Sequence, residues 1–331
     1  MLPPPPIGRY IVYGNELSYF TRKLTAALHV YGAPYELRAK TPEVTEEVEQ
    51  RAGTHQIPVL HTAENWMIAD STPLLTMLDG RFPERRLFPA GPAGVLVHLV
   101  EEYFDEWVAR TMVHFRWHYP RSAEFAASRM AGGDSEAAER IATWGPRACR
   151  ATGTDSAHQQ ASAEAEYRRI LDAAENQLGE TRFLLGDRPT AVDAVVLGGL
   201  RAHTNMDPDP KEIVAQYPRV LAWATAGADA WDGTGELPDF PDTTPFARVI
   251  LEELREHYLP VLAANRAAVA DGAKAFTATT YDEDVSYLTR TYPVRSWGML
   301  QQRIRALPSA QQRTLLEWAE SQGMRSALAD A

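Results

Sequence analysis

Gln56-Ile57-Pro58-Val59-Leu60-His61, followed by Trp66-Met67-Ile68 and then Asp70-Ser71-Thr72-Pro73-Leu74-Leu75, is the stretch whose reading decides the fold. Two short β-rich runs, 57–61 and 66–68, flank a polar turn at 62–65, which predicts a hairpin. Asp70-Ser71 stands before Leu74, Leu75 and Leu78 as a polar N-terminus stands before an amphipathic helix, and Pro73 falls in the first turn, where proline is tolerated. Upstream, Tyr10-Ile11-Val12-Tyr13 predicts a strand that Gly14-Asn15 breaks, and Phe20, Leu24, Leu28 and Tyr31 then share one helical face. Gly32 and Pro34 end that helix, Tyr35-Glu36-Leu37-Arg38 predicts a second strand, and residues 42–52 a second helix. The order is βαβαββα over residues 9–80.

Downstream the pattern changes. Residues 81–92 hold prolines and glycines that interrupt both periods and read as an interdomain linker, after which 93–232 is helical throughout. A long amphipathic helix over 94–118 carries Glu101, Glu102, Asp105 and Glu106 on its acidic side. Residues 131–160 are rich in Gly, Ser, Ala and Thr and read as a flexible excursion, and 161–178 is a helix with Tyr167, Ile170, Leu171, Ala174 and Leu178 on one face. Thr190 and Asp193 form a capping box before the most apolar helix, 194–200. Residues 233–331 read as a helical extension packed on the second domain or on a partner subunit, and 1–8 as a proline-rich arm. At 331 residues with 45% hydrophobic content, two cores are expected, because a single core stops growing near about 250 to 300 residues.

A net charge of -11 without clustered Lys or Arg argues against nucleic acid and anionic membrane as partners. No apolar run reaches the ~18 residues of a membrane helix, and the start lacks the features of a secretory signal, so a soluble, cytoplasmic protein is expected. The single cysteine, Cys149, excludes an intramolecular disulfide framework and reads as an inert thiol. His114 and His118 are four apart but have no accompanying carboxylate or cysteine motif, so no metal is expected.

Four features stand in one order: Ser18-Tyr19-Phe20-Thr21-Arg22-Lys23, Gln56-Ile57-Pro58-Val59-Leu60, Asp70-Ser71, and the Thr190 to Asp193 box after Leu185-Gly186-Asp187. In this order and spacing the chain resembles the glutathione-transferase superfamily over residues 9 to about 230. The longer C-terminus is similar to that of a bacterial subgroup. The resemblance implies a thioredoxin-like domain followed by an all-helical domain, a homodimer, and glutathione as cosubstrate. An Arg-rich, Lys-poor composition, common in high-GC bacteria, leaves another low-molecular-weight thiol open.

The resemblance also implies the site. Pro58, cis in this family, would turn Ile57 so that its amide and carbonyl pair with the cysteinyl unit of glutathione like an added strand. Asp70 and Ser71, at a helix N-terminus, would receive the γ-glutamyl carboxylate on free amides. Ser18 stands where the serine and cysteine classes of the family place the residue that faces the sulfur. Lowering a thiol pKa from about 8.5 by about two units requires roughly 2.7 kcal/mol. One hydroxyl donating to a thiolate contributes about 1.5 to 3, and the helix dipole about 0.3 to 1. Tyr13, Tyr19 and Thr21 are fallback donors, and the plainer alternative for Ser18 is a simple helix cap. Serine at 18 argues against a mixed-disulfide mechanism, because serine cannot form that covalent intermediate. The reaction implied is thiol transfer to a small electrophile: conjugation, dehalogenation, ether cleavage or isomerisation. Tyr103, Trp107, His114 and Trp117, near helical spacing on the long helix, are the expected electrophile pocket, or else core. Arg116 reads as an ion-pair partner or a substrate-carboxylate ligand. Two readings outside enzymology stay open, a non-catalytic interaction module and a binder of an apolar metabolite.

Overall fold

Four fully buried residues, Tyr10–Tyr13, form strand β1 at the centre of the N-terminal sheet. β1 pairs parallel with β2 (Tyr35–Arg38) and antiparallel with β3 (Val59–His61), and β3 pairs antiparallel with β4 (Met67–Ala69), giving the order β2-β1-β3-β4. In the computed structural model residues 2–225 and 231–329 are described, so 226–230 of the expected helical domain lie outside them. Helix α1 (Tyr19–Tyr31) begins where the Ser18 side chain accepts from the Thr21 amide and ends at Gly32, whose φ of 66° places it in the left-handed region. There the Ala33 amide reaches back to the Leu28 carbonyl at 2.9 Å, closing the helix end. α2 (Pro42–Ala52) has proline in its first turn, and α3 (Ser71–Arg81) follows Asp70. The βαβαββα order expected from the sequence is the one observed.

The long helix runs as α4 (Pro92–Glu102), a π-helical stretch (Tyr103–Val108) and α5 (Ala109–Trp117). Then come α6 (Pro120–Met130), α7 (Ser135–Ala142), α8 (Trp144–Ala151) and α9 (Ala157–Gln177). The excursion expected at 131–160 is therefore largely helical. Asp134 caps α7 through the Ala137 amide at 3.0 Å, Gly145 lies against the Trp117 side chain, and Cys149 is buried. Such short helices leave little periodicity to read.

α10 (Ala191–Gly199) is wholly buried. The Asp193 carboxylate at its start accepts from the amides of Thr190 at 2.7 Å and Leu184 at 2.9 Å, and from the Thr190 hydroxyl at 3.0 Å. Those two amides would otherwise be orphaned in the core. After a π-helical stretch (Leu200–Thr204) come α11 (Pro208–Val214) and α12 (Pro218–Thr225). α10 packs directly on α1. A Cβ on Gly198 would stand 2.8 Å from the Tyr19 carbonyl oxygen, and one on Gly199 2.6 Å from the Tyr19 ring, so two glycines allow the helices to touch along their backbones.

The C-terminal extension holds α13 (Pro245–Glu253), a π-helical stretch (Leu254–Tyr258), α14 (Leu259–Ala270), a hairpin of β5 (Ala275–Thr280) and β6 (Glu283–Leu288), then α15 (Thr291–Arg305), α16 (Ser309–Ser321) and α17 (Arg325–Ala329). It is not all helical, as the sequence reading had it. Tyr281 and Asp282, with φ of 50° and 61°, make the two-residue turn that joins β5 to β6.

The acidic side of α4 also departs from expectation, since Glu101, Glu102 and Asp105 are buried rather than facing water. Fully buried Lys23 donates to Glu101, to Asp105 at 2.5 Å and to Thr72 at 3.0 Å. Glu102 accepts from Tyr258 at 2.5 Å and from Ser296, both in the extension. Glu106 meets Arg290 at 3.1 Å. Each acid found a partner distant in sequence, which periodicity along one helix cannot reveal.

Candidate thiol-peptide site

The Ile57-Pro58 bond is cis, and among the described residues Ile57 makes no main-chain hydrogen bond. A free amide and carbonyl at the start of β3 are what an added strand requires. Across the same cleft, Asp70 has φ 73° and ψ 114°, outside the region favoured by residues with a Cβ. This turn brings the chain from β4 directly into the first turn of α3, whose early amides Ser71 and Thr72 contribute to a positive helix end. Burial pushes the Asp70 carboxyl above its ordinary pKa, and the charge of Asp105 adds to that, opposed by Lys23 and Arg295.

Two cavities flank Ile57. One, of about 600 Å³, is lined by Phe20, Ile57, Pro58, Asp70 and Ser71 on one side and by 289–292 of the extension on the other. The second, of about 790 Å³, lies between the β1–α1 loop at 14–17, Lys40 and Ile57, and the end of α6 at 128–133. The structure therefore brings Ile57, Pro58, Asp70 and Ser71 together.

Ser18 is half-buried at the start of α1 and lines neither cavity, although its neighbour Leu17 lines the larger one and Phe20 the smaller. Its Oγ accepts from the Thr21 amide at 3.2 Å. A hydroxyl that accepts one hydrogen bond still has its own proton to donate, so capping and facing a thiolate are compatible. The fallback donors fare differently. Tyr19 is buried and donates to the Phe104 carbonyl at 3.1 Å, and burial holds its pKa well above the ordinary tyrosine value. Thr21 is buried with its hydroxyl unpartnered, and Tyr13 is buried beside His61 in the sheet.

Tyr103, Trp107, His114 and Trp117 line neither cavity. Tyr103 and Trp107 donate to buried Glu166, the latter at 2.8 Å, with Arg110 on the other carboxylate oxygen at 2.6 Å. His114 meets Glu164 at 2.8 Å, and Trp117 packs on Gly145. Arg116 is an ion-pair residue: it holds Asp207 at 3.0 Å and donates to the carbonyls of Leu17 and Ala202, each at 2.7 Å. The bond to Leu17 ties the loop before Ser18 to the helical domain. The sequence points to the 131–160 excursion and the tail as contributors to the pocket without naming residues; the structure puts 128–133 and 289–292 in the cavity walls. The Gly132-Gly133 pair, breaking the period after α6, was the available signal for the first of them.

Residues 12–86 match the model of the glutathione S-transferase N-terminal domain and 105–226 that of the C-terminal domain, together more than half of the chain. The chain belongs to the glutathione S-transferase superfamily. No match to a curated protein is found. Among solved structures it is similar to a beta-etherase from Sphingobium sp., at 17% identity over 68% of this chain and 96% of that one, with a TM-score of 0.49. A glutathione S-transferase from Rhodospirillum rubrum shares 18% identity over 72% and 99% of the two chains, TM-score 0.46. One from Methylobacterium radiotolerans, in complex with glutathione sulfonate, shares 20% over 71% and 98%, TM-score 0.43. The extension beyond 226 lies outside the family models. Among the described residues no helix is long and apolar enough to cross a membrane.

Proposed function

We propose that the chain binds glutathione along Ile57 and uses its thiolate on a small electrophile. The observation that carries this reading is the position of Ile57, its main chain unpaired, between the two cavities. A thiol peptide paired there sends its γ-glutamyl end toward Asp70 and Ser71 and its sulfur toward the start of α1. Ser18 donates its free proton to the thiolate, supported by the amide dipoles of α1. The electrophile occupies the larger cavity, the thiol proton leaves to solvent, and attack by sulfur is the shared step. In dehalogenation and ether cleavage the new C–S bond replaces a C–halogen or C–O bond whose electron pair departs with halide or oxyanion to solvent. In addition-type conjugation or isomerisation the sulfur pair displaces a π pair onto the acceptor. The homodimer and cytoplasmic location implied by the resemblance belong to the same proposal.

Calorimetric titration with glutathione tests it, with the thiolate absorbance of the complex followed against pH. Saturable binding is expected, weakened by Ser71→Ala, with the bound-thiol pKa raised by about one to two units in Ser18→Ala. No binding at millimolar glutathione overturns the reading in favour of another low-molecular-weight thiol or an interaction module. An unchanged thiol pKa in Ser18→Ala removes Ser18 from the mechanism.

A further inference from the structure

The smaller cavity has one wall that the family models do not cover. Thr289, Arg290 and Tyr292, at the junction of β6 and α15, face the cleft that holds Asp70 and Ser71. This junction is held in place. Asn265, only 3% exposed, donates from Nδ2 to the Arg290 carbonyl at 2.7 Å and accepts the Arg290 amide on Oδ1 at 2.9 Å. The Thr289 amide adds a bond to the Lys274 carbonyl at 3.0 Å. The backbone is fixed by a buried side chain while the Arg290 side chain stays 45% exposed, with Nη2 3.1 Å from the buried Glu106 carboxylate. A guanidinium carries five N–H donors in a planar fork, and one ion-pair contact leaves most of them for another acceptor.

The charges around the cavity form a pattern. Asp70 and Asp105, the latter paired with Lys23, are acids within its lining, and Arg290 is the cation there among the described residues. An α-amino acid head group carries an ammonium and a carboxylate on one carbon, and the γ-glutamyl end of a thiol peptide is such a group. Acids on one side and a guanidinium on the other complement it.

We propose that Arg290 binds the γ-glutamyl carboxylate opposite Ser71, so that the C-terminal extension is a wall of the thiol-peptide site and selects γ-glutamyl thiols. This rests on the function proposed above and adds a specificity residue to it.

The test is calorimetric titration of the full chain with glutathione and with 4-aminobutyryl-cysteinylglycine, the same peptide lacking only that carboxylate. Wild type, Arg290→Ala and Arg290→Lys are compared, with melting temperatures as the folding control. Arg290→Ala is expected to weaken glutathione about tenfold to a hundredfold, as loss of a charge-assisted bidentate pair does, and to leave the decarboxylated peptide within about twofold. Arg290→Lys keeps the charge beside Glu106 but loses the fork, so an intermediate loss for glutathione alone keeps the test decisive if Arg290→Ala does not fold. Equal losses for both peptides, or for neither, overturn the inference and leave the function standing. Failure of the wild type to bind glutathione overturns both.

Discussion

Replacing Lys23 by Met removes the cation that, among the described residues, Glu101 and Asp105 share. Burial opposes the Lys23 charge, yet Asp105 and Glu101 together hold its pKa above the ordinary lysine range. Burial also raises the Glu101 carboxyl to about 7, against the pull of Lys23. The two shifts fit one picture: a single buried cation serves two carboxylates, and Glu101 is the one that burial makes ready to take a proton. Leaving buried charge without its partner costs about 3 to 5 kcal/mol, or a fall in melting temperature of about 4 to 7 °C for a chain of 331 residues. The sign with pH follows from Glu101. Its folded pKa lies above the ordinary 4.5, so the associated stability is present below about 4.5 and is lost as pH rises through about 7. Without Lys23 the pull that opposes burial at Glu101 is gone, so its folded pKa rises further and the loss of stability extends to higher pH in the same direction. Urea unfolding followed by tryptophan fluorescence at pH 5.5 and 7.5 reads both effects. A Lys23→Met chain within about 0.5 kcal/mol of wild type at pH 7.5, or a deficit that does not narrow at pH 5.5, would refute this account.

Asp193→Ala leaves the Leu184 and Thr190 amides without their acceptor in the core, and is expected to cost about 3 to 5 kcal/mol in the same unfolding assay. A loss below about 1 kcal/mol would mean that water or the backbone replaces the carboxylate. Sedimentation velocity on the full chain is expected to show a species of twice the chain mass, in line with the homodimer implied by the family. A single species of one chain mass would withdraw that part of the proposal.

Much of the N-terminal fold was legible because its signals are local. Gly32 reads as a helix end from its own freedom at positive φ, and Pro42 as a helix start from its fixed φ and missing N–H. The hairpin beside the candidate cleft was legible for a related reason, since proline at 58 and a polar pair at 70 and 71 bracket it. What was misread depends on distant parts of the chain. Glu102 looks like a solvent-facing acid until Tyr258 and Ser296 close over it. Tyr103 and Trp107 have a spacing that suits a pocket or a core equally, and Glu166 on α9 decides for the core. The β5–β6 hairpin is a different case, because Ala275-Phe276-Thr277-Ala278-Thr279-Thr280 and Val285-Ser286-Tyr287 carry β-rich residues around a Tyr-Asp turn. That local signal was present and was passed over in favour of a uniformly helical tail.

The close approach of Gly198 and Gly199 to Tyr19 bears on how molecules enter and leave. With α10 lying backbone to backbone against α1, and Lys23 locked to α4 beside it, the two domains offer no hinge through the floor of the site. Any widening of the cleft by swinging the domains apart would have to break that seam and strand a buried charge. On the function proposed above, thiol and product would exchange through the two cavities on either side of Ile57, with side chains at their mouths and not a domain-scale opening as the gate.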